Sequence, residues 1–544
     1  MIYDIIIFGG GISGLTIAHE LVKKGFKILI VEKDNLYGGF AHSEVEGNIP
    51  SEHSWRGYAP FYKNTYQIMK EIPYYNSNVF NNLGIPINFY LLQDDIKNYK
   101  PQPSVVDYLI LIYIGSKYLL ADKRRNDYYE YNIEPFLKKY LSPDGYNYII
   151  NYVTATAYGM NKNDISMGHL IHFIIIAYIQ GYRHTHTHTN NGESYEHTAN
   201  EKWHVMNGPT NDVWIDPWVK YLKQQGVQFM NNSELIKLNY NNKKIISADI
   251  RHHNGYTEKL KSKEYVLATN PYNTVDIFKN SNMNNLYNDF DLLTKNTKSK
   301  QISFRIGINK QIDYPIQNIA FVMSDSEFNI TWYPQEKHWK KQPPIISLWS
   351  GTIIDFEKKG KLFNKNAESL NKEQLKQEIV SQILRSKSFQ KLIYSNNGFN
   401  LTKEDIDYIE VGGDEWKFIN NKQEPKNKKW VNNITNEVHR PVQETEFNNL
   451  FLSGAHTKTT INIWSMEGAI ESGKITSNLI LDKYKKEKII HYKHSDPLFF
   501  RLIQKLDNIL YMMYLPNIGY LLIVLILLLI VYVTYKVLRS TKKY

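Results

Sequence analysis

Residues 3–32 read YDIIIFGGGISGLTIAHELVKKGFKILIVE. Tyr3 to Phe8 is a short apolar run of the kind that makes a fully buried strand. Gly9-Gly10-Gly11-Ile12-Ser13-Gly14 follows at once. A helical pattern then runs from Ser13 to about Lys24, and a second strand from Lys27 to Val31 ends at Glu32-Lys33. Strand, G-x-G-x-x-G, helix, strand and acid, in that order, make a dinucleotide-binding unit in its full context. Gly9 permits the tight turn. Gly11 lacks a Cβ, so a pyrophosphate can come close to the backbone. Gly14 lets the helix pack tightly on the strand. The amides of Ile12 and Ser13 open the helix, whose N-terminus carries partial positive charge toward the phosphates. Glu32 can accept hydrogen bonds from a ribose diol, and its charge disfavours a 2′-phosphate.

The rest of the composition narrows the class. A chain of 544 residues, 42% hydrophobic and 22% charged, can bury two to three domains. There is no cysteine. Disulfides, thiolate metal sites and a thioether-linked flavin are thereby excluded, and a reducing compartment is the expectation. The formal charge of +11 is concentrated toward the C-terminus, between Lys483 and Lys543, so no nucleic-acid partner is expected. With the first strand starting at residue 3, no signal or transit peptide is expected. At the far end, Ile518 to Tyr535 carries no charge. Eighteen helical residues span about 27 Å, near the thickness of a thin bilayer. Tyr514, Tyr520, Tyr532 and Tyr535 stand near the ends of that span, where amphipathic rings prefer to lie. A single-pass C-terminal anchor with the globular part in the cytosol is expected.

Three further stretches invite chemistry. After Glu32, five residues lead to Gly38-Gly39-Phe40, so a second glycine pair can pass close to the pyrophosphate. Pro50 to Asn64 clusters Glu52, His53 and Arg56 with aromatics; it reads either as a surface turn with an internal Glu52–Arg56 pair or as a loop beside a cofactor ring. Near the C-terminus, the apolar strand Asn449 to Leu452 ends in Ser453-Gly454-Ala455-His456. It is followed by Trp464-Ser465-Met466-Glu467-Gly468-Ala469, the start of a helix. The histidines of Arg183 to Thr189 sit in a polar run, Asn190 to Asn200. They read as a solvated loop, and no metal is expected.

The spacing of Glu32 from Gly38-Gly39, with Met466-Glu467-Gly468-Ala469 some 430 residues later, resembles the flavin-containing amine oxidase and phytoene desaturase superfamily. The Pro50–Asn64 stretch and Gly208 to Trp218 are similar to its carotenoid desaturase-like and hydroxysqualene dehydroxylase-like branch. The resemblance implies an α/β fold: a Rossmann-type, glutathione reductase-like FAD-binding domain interrupted by an α+β substrate domain, plus the C-terminal transmembrane helix. It implies FAD, held by Gly9, Gly11, Ile12, Ser13, Gly14, Glu32, Lys33, Gly38, Gly39, Phe40, Ile236 (backbone toward adenine), Gly454, Ala455, Met466, Glu467 and Ala469. Two departures stand out. Phe40 replaces the usual basic residue after the glycine pair, and Ala455 replaces the usual acid after the strand-end glycine. Catalysis rests on the flavin itself, with Glu52, His53, Arg56, Lys300 and Trp464 as the candidate side chains.

The expected division is cofactor domain 1–74, helical substrate part 75–202, cofactor domain 203–299, substrate sheet 300–433, cofactor domain 434–482, basic linker 483–516 and anchor 517–537. Val105 to Ile114 and Ile165 to Ile179 are expected to pack in the core. The alternatives are an apolar wall for a greasy substrate or a face that dips into the membrane. Asn420 to Asn433 is expected on the surface. The function expected is hydride transfer from a small lipophilic, isoprenoid-like substrate. The alternatives are an amine oxidase, or, in another class, a membrane-tethered structural protein with a vestigial flavin fold. Oligomeric state is not legible.

Overall fold

The computed structural model describes residues 3–46, 49–52, 56–84, 88–92, 102–150, 165–176, 203–295, 301–316, 319–323, 326–341, 343–413, 416–419, 422–434 and 436–541. His53, Lys300 and the histidines between 183 and 189 lie outside the described residues.

Strand β1 (Tyr3–Phe8) is followed by helix α1 (Ile12–Val22) and strand β2 (Ile28–Val31). β1 lies in a five-stranded parallel sheet, ordered Leu450–Leu452, Ser262–Leu267, β1, β2, Gln228–Met230. The alternation of a strand decides which side each residue serves. Ile5, Ile7, Ile28 and Ile30 face one core with α1. Ile6, Phe8, Leu29 and Val31 face a second core, shared with the antiparallel strands Ser233–Asn241 and Lys244–His252. Burial on both faces is why β1 carries no polar alternation. The antiparallel strands continue to Thr257–Leu260. The next strand leaves them to pair with β1.

The second large sheet has six strands, in the order Ile406–Val411, Ile302–Ile308, Ser347–Ile353, Ile330–Pro334, Ile319–Met323, Asn88–Leu91. The last strand comes from the stretch read as helical, and it pairs parallel to Ile319–Met323. Two helices, Lys372–Leu384 and Lys387–Asn397, follow one another, broken at Ser386, whose hydroxyl caps the second. Phe389 from that second helix packs edge-on against Trp332 and Trp349 of the sheet.

Two expectations about burial fail. Trp430 and Val431 are core residues rather than surface; the charged side chains around them mask an apolar pair. Conversely, the helix Val105–Leu120 turns Val105, Tyr108, Leu109 and Ile112 outward, each more than half exposed. Only one side of it, Ile114, Tyr118 and Leu119, is buried. The Ile165–Ile179 run does pack inward over its described part, from Ile165 to Ile176. The basic linker contains a helix, Leu498–Met512. After it, Ile518–Thr541 forms a single helix. Its stretch Ile518–Arg539, with mean hydropathy 2.8 and no residue buried, is long and apolar enough to cross a bilayer.

Candidate dinucleotide-binding site

The two distant stretches meet. α1 crosses the helix Met466–Lys483 closely because Gly473 has no side chain: a Cβ there would stand 2.8 Å from Thr16 Cβ and 2.9 Å from the Ser13 carbonyl oxygen. Ser13 Oγ lies 2.5 Å from Ser453 Oγ, and a hydroxyl chain continues through Ser472 (3.1 Å) to Thr457 (2.7 Å). Behind the crossing, Lys474 Nζ pairs with Glu20 at 2.8 Å, with both side chains all but inaccessible. Sequence reading did not single out this pair.

The three fingerprint glycines do different work. Gly9 has φ +105°, and a Cβ there would meet the Ala268 carbonyl oxygen at 2.5 Å. A Cβ on Gly14 would stand 2.0 Å from the Gly9 oxygen. Both are required by the fold itself. Gly11 is the α1 N-cap, in an ordinary extended conformation. A Cβ there would meet nothing nearer than Gly39 Cα at 3.7 Å. Gly11 and Gly38 form an isolated parallel bridge, so two side-chain-free turns lie against each other at the helix start. No side chain caps α1, and its first turn carries no acid. An open, uncapped helix N-terminus beside backbone stripped of side chains fits a pyrophosphate.

Glu32 is buried and accepts hydrogen bonds from the amides of Gly10 (2.6 Å) and Asp34 (3.0 Å). Burial raises its pKa above the usual carboxylate value, against the pull of those two amides. It therefore holds the glycine turn directly, and any ribose contact would use its remaining lone pairs. Lys33 turns away and donates to Asn427 at 2.5 Å. The Ile236 carbonyl is taken by the Asn280 side chain at 3.2 Å.

Glu52 and Arg56 form a buried ion pair rather than a surface turn. Glu52 accepts the Thr210 amide at 2.6 Å. Arg56 donates to the carbonyls of Phe40 (3.2 Å) and His42 (2.8 Å). The pair staples the Gly38–His42 turn in place, and it brings a guanidinium to the loop whose own basic residue is missing. Phe40 sets its ring edge-on to Trp464, centroids 6.2 Å apart. Trp464 in turn packs on Trp430 at 5.4 Å. This aromatic corner joins the glycine-pair loop to the closing helix. Trp430 was missed because nothing local to it separates a core tryptophan from one on the surface.

At the closing helix Met466–Lys483, Met466 and Ala469 are half-buried on one side, as is Trp464 just before it, while Glu467 and Ile470 are buried on the other. The Glu467 side chain is engaged within the protein. Its carboxylate accepts from the amides of Asn64 (3.0 Å) and Thr65 (2.8 Å) and from both their side chains. It caps the helix Lys63–Glu71, a use of the acid that a one-dimensional motif does not reveal. Gly454 has φ +143°, and its amide donates to Ser472 Oγ at 2.9 Å. The following turn is clamped by Arg440, a second residue that sequence reading missed: its guanidinium binds the carbonyls of Ala455 (3.1 Å), His456 (3.3 Å) and Thr457. The His456 ring is wedged between Phe290 (5.9 Å) and Trp430 (6.3 Å). Burial, with Arg440 nearby, pushes its pKa down to about 3, so it is neutral. A neutral imidazole carries no negative charge, and its ring is held between Phe290 and Trp430, so His456 is no substitute for the acid that the resemblance expects at Ala455.

Known proteins agree with this geometry. A family described as the NAD(P)-binding Rossmann-like domain matches residues 7–72. (S)-6-hydroxynicotine oxidase of Paenarthrobacter nicotinovorans is 44% identical over 48 residues, a match spanning 9% of this chain and 11% of that protein. Among solved structures, a redesigned putrescine oxidase aligns with 88% of this chain and 99% of its own, at 12% identity and TM-score 0.60. Cyclohexylamine oxidase from Brevibacterium oxydans aligns with 89% of this chain and 100% of its own, at 13% identity and TM-score 0.57. With the fingerprint carried by residues 7–72 and the topology shared over nearly the whole chain, this protein has a Rossmann-like dinucleotide-binding unit set in the same fold as these solved oxidases.

Proposed function

We propose that the protein is an FAD-dependent oxidoreductase that takes a hydride from a small lipophilic substrate. The observation that carries the redox reading is the meeting of the Gly9–Gly14 turn with the strand-end Ser453–Gly454 and the closing helix, joined through Ser13 and Ser453. Bound FAD supplies a ring that accepts two electrons with a hydride. What the chain supplies is position and dryness. Gly11, Gly38 and Gly39 leave room for the phosphates. The α1 amides and dipole hold their charge. Phe40, Trp464 and Trp430 wall off one side with apolar rings. Arg440 fixes the turn after Gly454. The exposed apolar helix Ile518–Thr541 supports a membrane anchor, and an anchored enzyme suits a substrate that partitions into lipid.

Trp464, half-buried and backed by the buried Trp430, supports a second reading, oxidation of a primary or secondary amine. Aromatic faces attract cations, and three of the similar proteins are named as amine or hydroxynicotine oxidases. One experiment separates the two. Full-length protein, purified in mild detergent and kept anaerobic, should be yellow near 450 nm. Bleaching by a solubilised polyene or triterpene, and not by alkylamines, supports the lipophilic substrate. The reverse pattern supports the amine. A colourless protein that FAD does not stabilise against heat overturns both.

A further inference from the structure

Helix Val105–Leu120 is built the wrong way round for a water-soluble surface. Its exposed residues Val105, Val106, Tyr108, Leu109, Ile112 and Tyr113 include no charge. The acid of its first turn, Asp107, points inward to the amide (2.7 Å) and hydroxyl (2.6 Å) of Ser142. Beside it, helix Leu498–Met512 exposes Leu502, Leu506 and Ile509. Its exposed charges, Arg501 and Lys505, are both cationic, because its acid, Asp507, is fully buried. Patches of this size are uncommon on soluble monomers.

Both helices are locked to the root of the apolar C-terminal helix. Asp507 accepts the Ile518 amide at 2.8 Å and the Arg124 guanidinium at 3.0 Å. Arg124 also donates to the Leu515 carbonyl at 2.7 Å. Gly519 comes against Leu120. The C-terminal helix therefore does not leave the body on a free tether; its root is part of the same packed unit. Wherever it enters a bilayer, the two apolar faces are carried to the lipid surface with it.

We propose that these faces form a second, in-plane membrane contact, half-immersed in the headgroup and upper acyl region of an anionic bilayer. It rests on the anchor reading given above. The outward side chains of Val105–Leu120 displace interfacial water, and Arg501 and Lys505 meet lipid phosphates. A consequence reaches the site. Under the apolar helix, Tyr118 Oη lies 2.6 Å from Tyr129 Oη, and Asn462 donates to Tyr129 at 3.2 Å. The segment leading into Trp464 thus lies one side-chain layer beneath the lipid.

The chain contains no cysteine, so single-cysteine variants of the full-length protein each carry one spin label. Leu109→Cys and Leu502→Cys probe the faces, Leu527→Cys the anchor, and Tyr394→Cys a distant exposed site. The protein is reconstituted into phosphatidylcholine–phosphatidylserine vesicles. Collision rates are read with oxygen, which concentrates in lipid, and with a nickel chelate, which stays in water. The expected result is oxygen dominance at positions 109, 502 and 527, and nickel dominance at 394. Nickel dominance at 109 and 502 with oxygen dominance at 527 overturns this contact and leaves the anchor standing. Nickel dominance at all four overturns both. Labels at 109 and 502 immobilised and shielded from both reagents overturn the lipid assignment in favour of a second copy of the chain.

Discussion

Replacing Gly11 by alanine separates flavin binding from folding more cleanly than any other change in the fingerprint. The backbone at Gly11 is φ −76°, ψ −179°, which alanine adopts without strain. The added methyl finds Gly39 Cα at 3.7 Å, ordinary van der Waals distance. The folding cost is therefore the loss of a preferred N-cap residue, about 1 kcal/mol. In the proposed binding mode the same methyl stands between the Gly38–Gly39 turn and the start of α1, where the phosphates would approach. Holding the phosphates back from the α1 amides weakens charge-assisted hydrogen bonds that contribute about 1.5–3 kcal/mol each. Losing the equivalent of one to two of them lowers FAD affinity by about a hundredfold, or roughly 3 kcal/mol. The control is Gly14→Ala, whose methyl would sit 2.0 Å from the Gly9 oxygen. It should cost the fold as well as the flavin. Apo-protein melting temperature and a fluorescence titration with FAD give the two readouts. Wild-type affinity in a folded Gly11→Ala protein would remove this turn from the flavin's path and refute the reasoning.

Glu467→Gln removes the charge that caps the helix Lys63–Glu71. It should destabilise the protein by about 2 kcal/mol in denaturant titration, while flavin bound per folded molecule stays unchanged. Lys474→Met strands Glu20 in the core with only Lys23 as partner, and should cost about 3 kcal/mol in the same titration. The carboxyls of Glu71 and Glu437 should make the fold acid-sensitive. Burial alone would raise both, but His19 and Lys23 in one case, Arg440 and His169 in the other, pull each down to about 2. A depressed folded pKa stabilises the fold above the unfolded value near 4.5 and ceases to do so as pH falls toward 2. Denaturant midpoints should therefore drop between pH 5 and pH 2, and Lys23→Met should flatten part of that slope; a midpoint independent of pH in this range would count against these pairs.

What was legible follows the range of the forces involved. Gly9, Gly11 and Gly14 are read from sequence because backbone sterics act within a few residues, and the strands beside them are apolar because both sheet faces are buried. The Glu52–Arg56 pair was legible because its members stand four residues apart, but the grip of Arg56 on the carbonyls of Phe40 and His42 was not, and Trp430 and Arg440 were misread or missed because their partners are the ring of Trp464 and a turn some fifteen residues on. An arginine that serves main-chain carbonyls leaves no spacing rule behind. The structural use of the Glu467 carboxylate escapes a sequence reading for the complementary reason. Its position in a helix start is local and visible, but the donors it satisfies, on Asn64 and Thr65, lie four hundred residues away.

The misjudged helix Val105–Leu120 has a different cause. Periodicity distinguishes an apolar side from a polar one; it does not say whether the solvent beyond is protein or lipid. A helix apolar on nearly every side lies in a core or in a membrane, and the deciding fact is non-local: which neighbours fold over it. Here they are Leu498–Met512 and the root of Ile518–Thr541, attached through Asp507 and Arg124. Those neighbours cover one side and leave Val105, Leu109 and Ile112 open. With none of the described residues over that face, a single bilayer that receives both accounts together for its hydrophobicity and for the fixed root of the C-terminal helix, as proposed above.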